Sequence, residues 1–64
     1  MIDVGTVAGK VWEELNRSEG LSITALVKVT GEKKDTVLMA LGWLLREDKL
    51  SIGKKGAAVL FSLK

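Results

Sequence analysis

The chain contains no cysteine, histidine, tyrosine or proline, and its only aromatic residues are two tryptophans and one phenylalanine. Without imidazole, thiol or phenol, the commonest general base, the best thiol nucleophile and the phenolic acid are all missing. Metal ligation by imidazole or thiolate is excluded for the same reason. Carboxylates do sit side by side at Glu13-Glu14 and Glu47-Asp48, but neighbours on a helix point about 100° apart and do not converge on one substrate. Gly5-x-x-x-Gly9 lacks the lysine and the serine or threonine of a phosphate loop and follows no strand. The expectation is a chain that is not an enzyme and holds neither cofactor nor metal. No apolar run approaches the roughly 18 residues of a membrane span, and the opening MIDVGTVAGK has no basic segment followed by an apolar one. The lack of cysteine fits a reducing compartment, so the expected location is cytoplasmic, away from membranes.

A chain of 64 residues reads as one domain, residues 1–64, and a domain of this size buries only about 60% of the surface its unfolded chain exposes. Disulfides and metals, the usual reinforcements of small folds, are ruled out, which leaves a partner chain. A hydrophobic fraction of 47% lies at the upper end for a soluble domain and fits an apolar contact between copies, so a homodimer is expected. The net charge of +2 hides an asymmetry: residues 1–32 carry three cations and five anions, residues 33–64 seven and three. A basic half points toward nucleic acid; the plain alternative is lysines that only solvate exposed faces.

In chain order, Asp3 is placed to cap a first helix whose apolar residues Val4, Val7, Ala8, Val11, Trp12 and Leu15 step by threes and fours. Gly20 is expected to stop it in a left-handed conformation. Gly5 and Gly9, one turn apart, each cost about 1 kcal/mol relative to alanine inside a helix. With Trp12 beside them they form a flat strip, suited either to packing within the chain or to a subunit contact. Leu21 is expected to form a short strand before Ser22, which caps a second helix over Ile23 to Val29, closed by Thr30-Gly31 with glycine supplying a positive φ.

The stretch from Lys33 to Asp48, KKDTVLMALGWLLRED, has the spacing of a third helix with Val37, Ala40, Leu41, Leu44 and Leu45 facing a core. Its outer face carries Asp35, Met39, Gly42 and Arg46, flanked by Leu38 and Trp43. Lys33 and Lys34 stand where a capping serine or aspartate is favoured, cations at the positive end of the helix dipole. Free N–H groups with lysines beside them suit a phosphate. After Asp48 the period becomes alternating: Leu50 and Ile52, a corner at Gly53-Lys54-Lys55-Gly56, then Val59, Phe61 and Leu63 on the return, which is a two-stranded hairpin. Its tip lysines could touch phosphates, or could serve only to keep the hairpin soluble and discourage edge pairing.

Two runs, Ala8 to Trp12 (AGKVW) and above all Ala40 to Leu50 (ALGWLLREDKL), resemble the small stand-alone winged helix-turn-helix proteins of an uncharacterised prokaryotic family within the winged-helix DNA-binding superfamily. The resemblance implies an α+β fold in the order helix, strand, helix, helix, strand, strand, with the third helix as recognition helix and Lys54-Lys55 at the wing tip. It also implies DNA binding as the usual role of the superfamily. The outer face of the third helix departs from a reader of base edges, which offers arginine, asparagine, glutamine or serine. Contact mainly with phosphates is therefore the expectation, with Lys33, Lys34, Thr36, Arg46, Lys54 and Lys55 as candidate DNA contacts and a possible role in transcription regulation. The alternative is a protein interaction or dimerisation module without DNA binding, using Gly5, Gly9, Trp12, Leu38, Met39 and Trp43 as its contact surface.

Overall fold

The computed structural model describes residues 3–64. Three helices, α1 (Val4–Asn16), α2 (Ile23–Thr30) and α3 (Lys34–Arg46), precede an antiparallel hairpin of β1 (Leu50–Lys55) and β2 (Ala58–Leu63). This is the α+β winged helix-turn-helix. None of the described helices is long and apolar enough to cross a membrane.

Each helix boundary has a local cause. Asp3 caps α1: its carboxylate accepts from the Thr6 hydroxyl at 2.8 Å and from the Thr6 N–H at 3.2 Å. Ser22 caps α2 through the N–H of Ala25 at 3.2 Å. Gly31, with φ 71°, ends α2 in the left-handed conformation and donates its N–H to the Val27 carbonyl, which costs glycine little because it has no Cβ. Helix α3 ends with Asp48 at φ 59°. The N–H groups of Asp48 and Lys49 return to the carbonyls of Leu45 and Leu44, each at 3.0 Å, which is the bond pattern of a Schellman motif. Aspartate is among the few residues with side chains that visit this region.

The Asp3 cap has a consequence for pH. The Thr6 hydroxyl, then the Thr6 N–H, hold the Asp3 carboxyl below its ordinary 3.8. A lowered folded-state value means that the cap stabilises fully above the ordinary carboxylate range and is lost as pH falls through the lowered value. Asp3→Ala is therefore expected to lower the melting temperature at neutral pH, with the difference from wild type closing in strong acid; thermal melts by circular dichroism at both pH values check it.

Helices α1 and α3 make the most extensive helix contact, and Val7, Ala8, Val11 and Leu15 meet Val37, Ala40, Leu41 and Leu44 in the core. Leu26 is the sole fully buried residue of α2. Leu50 and Phe61 close the core from the hairpin. The register pairs Leu50 with Leu63, Ile52 with Phe61 and Lys54 with Val59, so these six residues share one face.

Five expectations need correction. The strand before α2 is a single bridge, in which Leu21 donates to the Phe61 carbonyl at 2.9 Å and Phe61 returns the bond at 2.8 Å. Gly20 does not stop α1, which ends at Asn16 with Arg17 as its cap; Gly20 is nearly extended at φ 158° and passes against Leu60 and Phe61. Leu45 is 39% exposed, and Thr36 takes the remaining inward position of α3. Trp12 lies at the rim of the apolar face of α1, not inside it, with 39% of its surface exposed. The hairpin turns at Gly56-Ala57, because Lys55 pairs with Ala58. Gly56 at φ 63° is followed by a residue without positive φ, the sign pattern of a type II′ turn. Gly53, Lys54 and Lys55 therefore belong to β1.

Candidate nucleic-acid interface

Helix α3 starts at Lys34 with Lys33 in the capping position and no side chain closing the end. Its first-turn N–H groups are left for water or an anion. Lys33 and Lys34 are exposed, as is Asp35 beside them. The turn from α2 is held by the Thr30 hydroxyl, which donates to the Leu26 carbonyl at 2.6 Å and accepts from the Glu32 N–H at 3.3 Å. Glu32 in turn is drawn to Lys10 of α1 at 2.8 Å, so of the two acids flanking the α3 end Glu32 is occupied, whereas Asp35 in the first turn has no ion-pair partner among the described residues.

Ion pairing sorts the remaining charges. Lys10 pairs with Glu32, Arg17 with Glu14 and Lys64 with Asp48. Among the described residues Lys28, Lys33, Lys34, Arg46, Lys49, Lys54 and Lys55 have no such partner. A hollow of about 290 Å³ is lined by Ile23, Thr24, Val27, Lys28 and Lys34, which brings Lys28 to the cationic end of α3. Sequence reading missed Lys28 because it lies in the net acidic half; its place in the last turn of α2 was the available signal.

The other candidate contacts divide. Lys54 and Lys55 are exposed neighbours at the end of β1, and successive strand residues point to opposite faces. One partner surface can therefore meet only one of them squarely. Arg46 is exposed but lies about 18 Å along α3 from Lys34 at 1.5 Å per residue. Thr36 is only 5% exposed and is withdrawn as a DNA contact, since its side chain faces the protein interior. The outer face of α3 shows Asp35, Met39 and Gly42, and a side chain added at Gly42 would meet nothing within 4 Å.

Between α1 and α3, Gly5, Ala8, Gly9, Trp12, Glu13, Trp43, Leu44 and Lys49 line an open groove of about 320 Å³. Four of the six candidate interface residues, Gly5, Gly9, Trp12 and Trp43, thus come together. Met39 is exposed one turn before Trp43; Leu38 is exposed on the opposite flank of α3 and takes no part in the groove. Glu13 and Lys49 were not singled out from sequence, because their nearness depends on how α1 packs against the end of α3.

Comparison with known proteins agrees with this architecture. An uncharacterized protein of Methanocaldococcus jannaschii, MJ1608, is 36% identical over 63 residues, covering 95% of this chain and 90% of the relative. The solution NMR structure of protein BT2368 from Bacteroides thetaiotaomicron superposes with a TM-score of 0.84 at 37% identity, covering 94% of this chain and 73% of that one. The family model described as winged helix-turn-helix domain (DUF2582) matches residues 1–63, and the chain belongs to that family.

Proposed function

We propose that this protein binds double-stranded DNA through its phosphates, with little reading of base sequence, as a cytoplasmic homodimer of one-domain protomers and a regulator of transcription. The observation that carries the reading is the open amino end of α3, uncapped by any side chain and bordered by unpaired Lys28, Lys33 and Lys34. Backbone N–H groups and lysines at a helix end are complementary to a phosphate in both charge and geometry. Lys54 or Lys55 adds a contact from the wing, and Arg46 meets a separate phosphate farther along. Phosphates carry no sequence information, and Met39 and Gly42 offer no hydrogen bond to a base edge, so discrimination among sequences is small. No catalytic role is proposed.

Fluorescence anisotropy with two short duplexes of unrelated sequence at low ionic strength tests this. Binding to both with affinities within about tenfold, or 1.4 kcal/mol, is expected. No binding to either duplex refutes the reading, and a preference of several thousandfold refutes its claim of weak base readout.

A further inference from the structure

We infer that the groove between α1 and α3 is the seat of a second copy of this chain, docked groove against groove about a two-fold axis. The inference does not rest on DNA binding. Trp12 and Trp43 line the groove with 39% and 49% of their surfaces exposed, and tryptophan is favoured at the energetic centres of protein interfaces. Gly9 lines the same groove, and a Cβ built there meets nothing within 4 Å. Packing within the protomer therefore does not require glycine at this position, although glycine is unfavourable inside a helix. The vacancy leaves room for a second backbone to approach closely.

The groove's own charges select the occupant. Glu13 and Lys49 both line it, and neither has an ion-pair partner among the described residues. A two-fold interface is self-complementary, because each contact between two different residues is made twice. Glu13 of one protomer then meets Lys49 of the partner subunit, and the reciprocal pair forms on the other side. One acid and one base in a groove that also carries two tryptophans thus match a copy of the same surface.

Such a dimer leaves the DNA-facing ends free, since Lys34 lies nine residues before Trp43, about 13 Å along α3.

Sedimentation equilibrium without DNA, at a salt concentration high enough to suppress nucleic-acid contacts, separates this inference from the function proposed above. The wild-type chain is expected to be dimeric. Gly9→Gln, which places a long polar side chain in space empty within the protomer, is expected to weaken the dimer at least about tenfold while keeping its helical circular dichroism. Glu13→Lys should weaken it, and the double variant Glu13→Lys/Lys49→Glu should restore it. A monomeric wild type overturns the inference, as does a Gly9→Gln variant that folds and associates like the parent. If Gly9→Gln fails to fold, the charge exchange decides: no loss with Glu13→Lys, or no recovery in the double variant, also overturns it.

Discussion

Leu26→Ala is expected to remove about half of the folding stability, the largest effect of any single substitution in the chain's core. At 0.05–0.15 kcal/mol per residue, a chain of 64 residues has about 3–10 kcal/mol of stability in all. Truncating a buried leucine removes about 2–5 kcal/mol, because apolar surface is returned to water and the cavity collapses only in part. Leu26 is 0% exposed and is the sole buried residue of α2, with Ile23 and Val27 only partly covered against the core. No neighbour on the helix can take over its contacts. The amino end of α3 depends on α2 through Thr30 and the Gly31 turn, so DNA binding should fall with stability. Leu45→Ala serves as contrast: exposed positions away from special features change stability by about 0.5 kcal/mol or less. Urea unfolding followed by circular dichroism distinguishes the two; comparable losses at Leu26 and Leu45 would contradict the packing described.

Lys33→Ala/Lys34→Ala is the second large expected effect, and it falls on function. Each lysine that neutralises a phosphate contributes about 0.9 to the slope of log affinity against log salt. Removing both should reduce that slope by about 1.8 per protomer and weaken low-salt binding at least tenfold. Stability should be little changed, because both side chains are exposed and neither caps the helix. Lys54→Ala alone should cost less, since Lys54 and Lys55 face opposite sides of the wing and either can approach DNA from its own side. Affinity measurements on the purified variants, paired with thermal melts, separate lost contact from lost fold.

The helices and most of the core were legible because α-helical and strand periods are written in the order of apolar residues. Val7, Ala8, Val11 and Leu15 on α1, with Val37, Ala40, Leu41 and Leu44 on α3, face inward as their spacing requires. Period alone fails at the edges of a stripe. Leu45 lies about 100° from Leu44, at the border of the buried arc, and which border residue is covered depends on neighbouring elements. The packing that exposes Leu45 buries Thr36, which turns a candidate phosphate ligand into an interior side chain. Glycine misled once, and one left-handed stop is made without it. Gly20 lies where a helix stop is common, yet it serves the approach of the chain to Leu60 and Phe61, while the left-handed residue after α3 is Asp48.

The candidate site was legible only in part, because its pieces come from separate elements. The missing cap at Lys33 is a local property and could be read from sequence. The arrival of Lys28 in one hollow with Lys34, and of Lys49 in one groove with Glu13, is set by how helices pack and leaves no local trace. Charge totals were misleading too: Lys10, Arg17 and Lys64 are engaged by carboxylates, so the cations without partners are more concentrated toward α3 and the wing than the count by halves suggested.

The central claim is that an uncapped, lysine-flanked helix end and a basic wing hold DNA by its phosphates. The most direct measurement is the slope of log binding constant against log salt for the wild-type protein on a random duplex. Three to four phosphate contacts per protomer predict a slope of about −3 for each, or about −6 for the dimer. A slope near zero, or no measurable binding even at the lowest salt, would contradict the account.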